Sequence, residues 1–486
     1  VVTPVLSAAA APVDGASPAD GTDGRTRAHL KRFIELVEGD PEFRQRLADR
    51  SASRQQTLAD AGLDLPADEM APFFRIPEIV FQPPAEQQAW QEQLKASPLW
   101  RLWHARSEAT AAAFAHASRL RVPSEPRARV WRARQLSRVR SETIGVDDIN
   151  HFPLFAFELT QGCSVQCWFC AVDPERLTGV FAYTPEHRRL WRDVLGHAWD
   201  MFGVGCQNMM CYHGTDPTDN PDFFRFQEDL IEILGVFPQV TTAQPLRNRE
   251  WTRTLLRLQR QYPDSHHRFS VLSLGTLRRI HQAFTPEELI EISLVMQHKE
   301  AAGRRVECGR AMTRTDRLEA EARVRESMKV PEPAMRQTSC ECTCGYLVNM
   351  VTGRIQLISP VTPSAQAPRG YQTHAEGTFR TGDEFREFLE RTVAQCMPEH
   401  LASDAAVRFW DDVQYERLPD GFSVTSRFRK QAVRGSVHLG LLGDLIHAGT
   451  HTTAEITDAL IQAGMPVLDA AGWLDRVYQS GVIAER

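Results

Sequence analysis

No run of apolar residues in this 486-residue chain approaches the length of a bilayer span, so nothing in it reads as a membrane-crossing helix. An excess of basic charge is also lacking. The formal net charge of -6 gives no bulk electrostatic case for nucleic acid or an anionic membrane as partner. The first 25 residues, rich in Ala, Pro, Gly and Asp, lack a basic stretch followed by an apolar core, so they do not read as a secretory signal. They read as the larger part of a disordered tail over 1–27. With 42% hydrophobic and 24% charged residues the composition is that of a globular chain, and the length suggests roughly two to four domains. Ten cysteines in a large chain without a signal point to metal ligation and redox chemistry rather than disulfides, and so to a reducing cytoplasm.

Three of those cysteines stand at one place. Cys163, Cys167 and Cys170 close the run Glu-Leu-Thr-Gln-Gly-Cys-Ser-Val-Gln-Cys-Trp-Phe-Cys, which begins at Glu158. Three thiolates spaced Cys-x3-Cys-x2-Cys can hold three irons of a 4Fe–4S cluster from one loop, leaving the fourth iron open. A zinc knuckle is the competing reading; it favours paired Cys-x2-Cys units and a fourth Cys or His at set spacing. The apolar stretch Phe152–Leu159 reads as a strand leading into the loop. From there strands and helices alternate. Helix Pro185–Phe202 is followed by strand Val204–Tyr212 and helix Phe223–Leu234. Strand Gln239–Thr242 precedes helix Glu250–Gln261, and strand Arg268–Leu274 precedes helix Pro286–Ala301. Strand Arg305–Cys308 and a helix over Asp316–Met328 complete the series. Such a series argues for a parallel sheet with crossover helices, whose active site would lie at the carboxyl ends of the strands.

The cysteine run, with Phe169 just before its last cysteine, resembles the radical S-adenosylmethionine (SAM) family. The resemblance implies a partial (β/α)6 barrel and a 4Fe–4S cluster on Cys163, Cys167 and Cys170. It also implies that SAM chelates the open iron and is cleaved by an electron from the cluster to a 5′-deoxyadenosyl radical. A second stretch, His213-Gly214-Thr215-Asp216-Pro217-Thr218-Asp219-Asn220-Pro221-Asp222-Phe223, is similar to the family's Gly-Gly-Glu-Pro-like motif, with Thr215 and Asp216 in place of Gly and Glu. The family's turn binds the SAM amino group through backbone carbonyls and the acid, which assigns Gly214, Thr215 and Asp216 to SAM. The same comparison adds Phe169, Thr242 and Ser273 as cofactor contacts. Thr242 and Ser273 read equally as satisfied hydroxyls in a barrel layer.

A second cysteine group, Cys340, Cys342 and Cys344, precedes a hairpin of Tyr346–Met350 and Arg354–Ser359 around Thr352-Gly353. This resembles the start of the SPASM and twitch extensions that hold auxiliary clusters, except that Val361 stands where a cysteine is expected. Two readings stay open. Cys340, Cys342, Cys344 and Cys396 hold an auxiliary Fe–S cluster, or one thiol is a hydrogen-atom donor, with Cys308 and Cys396 as further candidates. Cys206 and Cys211 also fall on expected strands, and Cys206 reads as a small buried hydrophobe.

Both ends of the chain have helical periodicity. Leu30–Asp49, interrupted at Asp40-Pro41, and Leu58–Phe74 resemble the Nif11-like leader fold over 28–75 and read equally as a helical cap. Gln82–Arg140 reads as mostly helical with a solvated charged face. At the other end, strands Val413–Arg417 and Phe422–Phe428 precede helices Val437–Ala448, Thr452–Ala463 and Asp469–Gly481. This tail is similar to the RiPP recognition element, a winged helix that captures leader peptides of ribosomally made precursors by strand addition. A DNA-binding winged helix would need Lys or Arg on the recognition helix, and Thr452–Gly464 has none.

The expected organisation is thus a tail over 1–27, a helical region over 28–150, the barrel over 151–335, a Cys-rich hairpin extension over 336–403 and a winged helix over 404–486. Taken together, the motifs resemble proteusin-type radical SAM peptide epimerases. That likeness implies conversion of L- to D-residues in a precursor peptide by Cα hydrogen abstraction and return of hydrogen from a cysteine thiol. Its partners would be a precursor with its leader and an electron donor of flavodoxin or ferredoxin type. Thioether or carbon–carbon crosslinking, or excision, with an auxiliary cluster is the alternative. A non-enzymatic zinc or peptide-binding protein ranks below both.

Overall fold

The computed structural model describes residues 22–49, 53–75, 84–105, 119–139, 152–263, 267–298, 308–313, 341–426 and 429–485, with the single residues 116, 265, 300, 301 and 319. The chain divides into two compact units. The first comprises Val1–Arg119, Phe157–His187 and Met210–Arg336; the second comprises Leu120–Ala156, Arg188–Met209 and Gln337–Arg486.

The first unit opens with helices α1 (Thr22–Gly39), α2 (Pro41–Ala48), α3 (Arg54–Asp60) and α4 (Pro84–Ala96). The break at Asp40-Pro41 has a local cause. Pro41 takes the first helical position and the Asp40 side chain accepts from the N–H groups of Glu42 and Phe43, so a new helix starts there. Phe33, Phe43, Leu58, Phe73 and Trp90 form the shared core. The polar face of α1 is turned inward as well: Arg32 donates to the Phe284 carbonyl at 2.9 Å, and Glu35 meets Lys31 and His281. These contacts fix α1 against the β/α region of the same unit.

That region carries three parallel strands, β5 (Thr241–Thr242), β6 (Arg268–Val271) and β7 (Ser293–Met296), with Thr241, Arg268 and Ser293 on one rung. Ahead of them lie β1 (Phe155–Glu158), the short antiparallel pair β2 (Thr160–Gln161) and β3 (Gly179–Val180), and β4 (Met209–Met210). Met210 bridges in parallel to Gln239, just before β5. The crossovers are α7 (Phe223–Leu234), α8 (Arg249–Gln261) and α9 (Leu274–Ala283), while α5 (Pro126–Val139) and α6 (Pro185–Phe202) contribute to the second unit.

Two expectations need correction. The strand expected over Val204–Tyr212 is only Met209–Met210; Gly203–Gln207 turns as a 3-10 helix, Gly203 at φ +53 allowing the tight turn. The helix expected over Pro286–Ala301 is instead a turn followed by β7. Thr285 and Glu288 do make the reciprocal side-chain bonds of a helix start, at 2.8 and 3.2 Å. Beyond them Ile292, Leu294 and Met296 point inward at every second residue, a strand period that pairing with β6 satisfies. Strand Arg305–Cys308 and helix Asp316–Met328 fall outside the described residues, apart from Cys308 and Glu319. The architecture is mixed α/β, with no closed barrel among the described residues.

In the second unit the hairpin of β8 (Gly345–Asn349) and β9 (Arg354–Pro360) gains a third antiparallel strand, β10 (Tyr371–Thr378), followed by α10 (Gly382–Cys396). The sheet order is β10-β9-β8-β1-β4. Phe155 stacks on Tyr346 at 5.2 Å, with Phe202 and Phe385 around them. The C-terminal part has three antiparallel strands, β11 (Gln414–Leu418), β12 (Gly421–Thr425) and β13 (Lys430–Arg434). Helices α11 (His438–Ala448), α12 (Thr453–Gln462) and α13 (Val467–Gln479) follow, over a core of Phe409, Phe422, Leu442, Ile456 and Leu474. It packs on α5 of the same unit: buried Arg134 pairs with Glu485 and lies over the Tyr478 ring.

Candidate functional site

The cysteine loop hangs from β1 and is tied at its neck by β2 and β3. Gly162 stands at φ +79, and a Cβ there would lie 2.4 Å from the Arg176 carbonyl oxygen, so only glycine lets the two sides of the neck approach. Inside the loop the Cys163 N–H donates to the Glu175 carbonyl at 3.0 Å and the Cys170 N–H to the Cys167 carbonyl at 3.2 Å. Gln166, at φ 53, ties the loop with its side-chain amide, donating to the carbonyls of Cys163 and Glu175. Cys163 is buried; Cys167 and Cys170 are half-buried.

Burial pushes the Cys167 thiol up to about 12, and its neighbours Cys170 and Cys163 add to the shift. Burial raises Cys163 too. These thiols are close enough to oppose one another's ionisation, an opposition that a bound cationic metal core would reverse. Among the described residues no three His, Cys, Asp or Glu side chains gather around a point for one ion. A cubane cluster makes a different demand, one thiolate on each of three separate irons, and the chemistry of this donor set fits it.

The second motif wraps the loop in acids, each with a distinct task. Asp219 is buried and accepts from the N–H of Ser164 at 2.8 Å and from its hydroxyl at 2.6 Å, with Arg247 paired to the same carboxylate at 2.5 Å. Asn220 donates to the carbonyls of Leu159 and Phe181, joining both sides of the neck. Asp216 is already engaged by the chain. It accepts from the Thr218 N–H and hydroxyl, the Thr242 hydroxyl and the Ala243 N–H, all within 3.1 Å. Burial nonetheless raises its pKa above the usual carboxylate range. The carboxylate that reaches over the turn is that of Glu158: its Oε1 lies 2.2 Å from where a Cβ on Gly214 would sit, and His213 Nδ1 is 3.4 Å away. Thr215 bonds Thr160 through the two hydroxyls.

Of the other cofactor candidates, Thr242 joins this cluster through Asp216, and Phe169 is half-buried with its ring edge-on to Trp168 at 5.8 Å. Ser273 caps α9, accepting from the Thr276 N–H at 3.0 Å. Sequence reasoning missed Glu158, Asp219, Asn220 and Arg247 as site residues, although all but Arg247 lie within the two motifs. It also missed Arg268, half-buried on the Thr241–Ser293 rung, which donates to the Thr241 hydroxyl and to Tyr212 Oη at 3.2 Å. The alternation of β6 was the only signal for it.

Cys308 in the first unit is fully buried. In the second unit Cys340 lies outside the described residues and Cys342 is half-buried. Cys344 is buried, its N–H donating to the Pro153 carbonyl at 3.1 Å and its own carbonyl accepting from Arg132. Burial pushes the Cys344 thiol up to about 11, against the pull of Arg132 and Arg138. Cys396 is half-buried at the end of α10, its Sγ directed at the His374 carbonyl 3.8 Å away. Cys206 is a buried core thiol that donates to the Gly203 carbonyl, and Cys211 is buried as well. No helix among the described residues is long and apolar enough to cross a membrane.

The chain is 35% identical over 467 residues to the protein named "Uncharacterized protein y4wI" of Sinorhizobium fredii (strain NBRC 101917 / NGR234), which covers 95% of this chain and 88% of the relative. The family model described as "Protein y4wI C-terminal domain" matches residues 407–481. No solved structure matches the chain.

Proposed function

This chain belongs to the y4wI family, and we propose that it is a radical SAM enzyme that epimerises residues of a ribosomally made precursor peptide. The observation that carries the reading is the three-cysteine loop at the carboxyl end of β1, held in shape by Gly162, Gln166 and Asp219. When bound there, a 4Fe–4S cluster with SAM supplies a radical strong enough to take a hydrogen atom from a peptide Cα.

The chain's own residues have the remaining roles. Cys163, Cys167 and Cys170 hold the cluster. The carbonyls of Gly214 and Thr215 would accept from the SAM ammonium, with Glu158 as the nearby acid. Asp216 sets the turn through Thr218 and Thr242 rather than meeting the ligand. A neutral thiol from the group Cys340, Cys342, Cys344, Cys308 and Cys396 would return a hydrogen atom to the opposite face, leaving a thiyl radical that the electron donor reduces with uptake of a proton. Burial keeps Cys344 protonated, as donation requires. The C-terminal sheet leaves β13 as an edge to which a leader strand can add. Val437 just beyond it, and Val467 and Leu468 at the head of α13, are exposed apolar residues suited to such a ligand. An electron donor of flavodoxin or ferredoxin type completes the set, in a reducing cytoplasm.

The test is mass spectrometry of a precursor peptide encoded beside this gene, after anaerobic reaction with SAM and reductant in deuterium oxide. Deuterium at Cα with no other mass change is the expected result. Loss of hydrogens or of a fragment would instead establish crosslinking or excision, and formation of no 5′-deoxyadenosine would reject the enzyme class.

A further inference from the structure

The segment Cys308–Thr313 is packed directly on the cysteine loop, and its contacts converge on one residue. Gly309 stands at φ +56, and a Cβ there would lie 2.0 Å from the Ala171 carbonyl oxygen and 2.7 Å from that of Cys170. That closeness brings the Arg310 N–H onto the Cys170 carbonyl at 2.9 Å. The Arg310 guanidinium then spreads across the loop. Its Nη1 donates to the Cys167 carbonyl at 3.1 Å, its Nη2 to the Pro174 carbonyl at 2.7 Å, and its Nε to the Asp173 carboxylate at 2.7 Å. One side chain thus engages three acceptors in the plane of its fork, which a lysine could not do. Two of the three cysteines, Cys167 and Cys170, have their backbone carbonyls held by this single residue.

We propose that Gly309 and Arg310 are positioning residues for the cluster: a brace that holds the Cys167–Pro174 half of the loop so that its thiolates stay in register with the irons. The inference rests on the reading of the loop as a cluster site. It differs from the role of Asp219, which fixes the other half of the loop at Ser164, and from that of Gln166, which bridges Cys163 to Pro174 and Glu175. Outer partners of metal ligands act in this way, by orienting groups that themselves touch the metal.

The experiment uses the full chain, loaded anaerobically with iron and sulfide. Release of iron to a chelator and the electron paramagnetic resonance (EPR) spectrum of the reduced protein are compared between wild type, Arg310→Ala and Asp173→Asn. The Asp173→Asn variant loosens the brace without removing a buried side chain, and it decides the question if Arg310→Ala does not fold. Arg225→Ala, an exposed arginine of the same unit, is the control. Iron release ~10-fold faster in Arg310→Ala and faster than wild type in Asp173→Asn, with an altered EPR line and an unchanged melting temperature, is the expected result. Variants that fold and match wild type in release rate and spectrum overturn the brace alone. A wild-type chain that takes up no iron rejects the cluster reading, and the brace with it.

Discussion

Glu158 and Asp216 show how two acids of similar sequence context divide their work. Asp216 occupies the place where the motif has its acid, yet its oxygens accept four donors from Thr218, Thr242 and Ala243. An ammonium arriving at that carboxylate would have to displace bonds the fold already uses. Glu158, at the end of β1, extends over Gly214, where the missing Cβ leaves it room. Replacing Glu158 by Gln removes the charge and keeps the shape. The expected outcome is SAM affinity weakened by roughly tenfold in equilibrium dialysis, the scale of one charge-assisted hydrogen bond. Thr242→Val, which strips a donor from Asp216, should instead lower stability. Equal SAM affinity in wild type and Glu158→Gln would return the ligand role to Asp216.

At the scale of elements, α1 carries an uneven charge pattern into a buried setting. Despite burial, Lys31, His281 and Arg32 hold Glu35 down to about 2, whereas burial and the nearby Glu35 charge raise Glu38 to about 7. The two carboxylates therefore oppose each other in pH dependence. Glu35 contributes stability that is present above its unfolded value and is lost as pH falls towards 2. Glu38 binds its proton more tightly in the folded state, so its contribution falls as pH rises from about 4.5 to 7. Glu38→Gln is accordingly expected to stabilise the protein at pH 8 by roughly 1 kcal/mol, after allowance for the partial solvent exposure of the side chain, and by little at pH 4.5. Melting temperatures of both proteins across that range provide the check, and a gain that does not grow with pH would contradict it. Elsewhere on this scale the strands and helices tracked their local signals unevenly. Pro185, Asp40-Pro41 and Thr452 with Glu455 mark helix starts that the structure keeps, while the Thr285–Glu288 pair marks one that stops after a turn. A capping pair nucleates a helix, but the period of the following apolar residues decides whether one continues.

For the whole molecule the decisive feature is that each unit is assembled from three separate stretches of chain. The C-terminal sheet and helices, which read as a module of their own, share a unit with α5 and the β8–β10 hairpin and are bound to α5 through Arg134, Ser137 and Glu485. Arg134 is almost wholly enclosed, and its charge is answered by Glu485 near the end of the described chain. Glu485→Ala would leave that guanidinium buried with, among the described residues, the neutral acceptors of Gln479 and Pro398. The expected cost is about 3 kcal/mol in urea denaturation, because an unanswered buried charge is far more damaging than a lost surface pair. Glu416→Ala, which breaks the exposed pair with Lys430, should leave the midpoint unchanged.

What was legible in the residues alone was whatever short-range chemistry decides. The spacing of Cys163, Cys167 and Cys170, the hairpin turn at Thr352-Gly353 and most helix starts depend on neighbours a few positions away. The residues that hold the site were not legible, because their partners are distant in the chain. Ser164 meets Asp219 across 55 positions and Asp173 meets Arg310 across 137. Hydrogen bonds of that reach form only once packing has closed the intervening loops, so only the tertiary structure decided which acid anchors the loop, which one faces the turn and which arginine braces the cysteines.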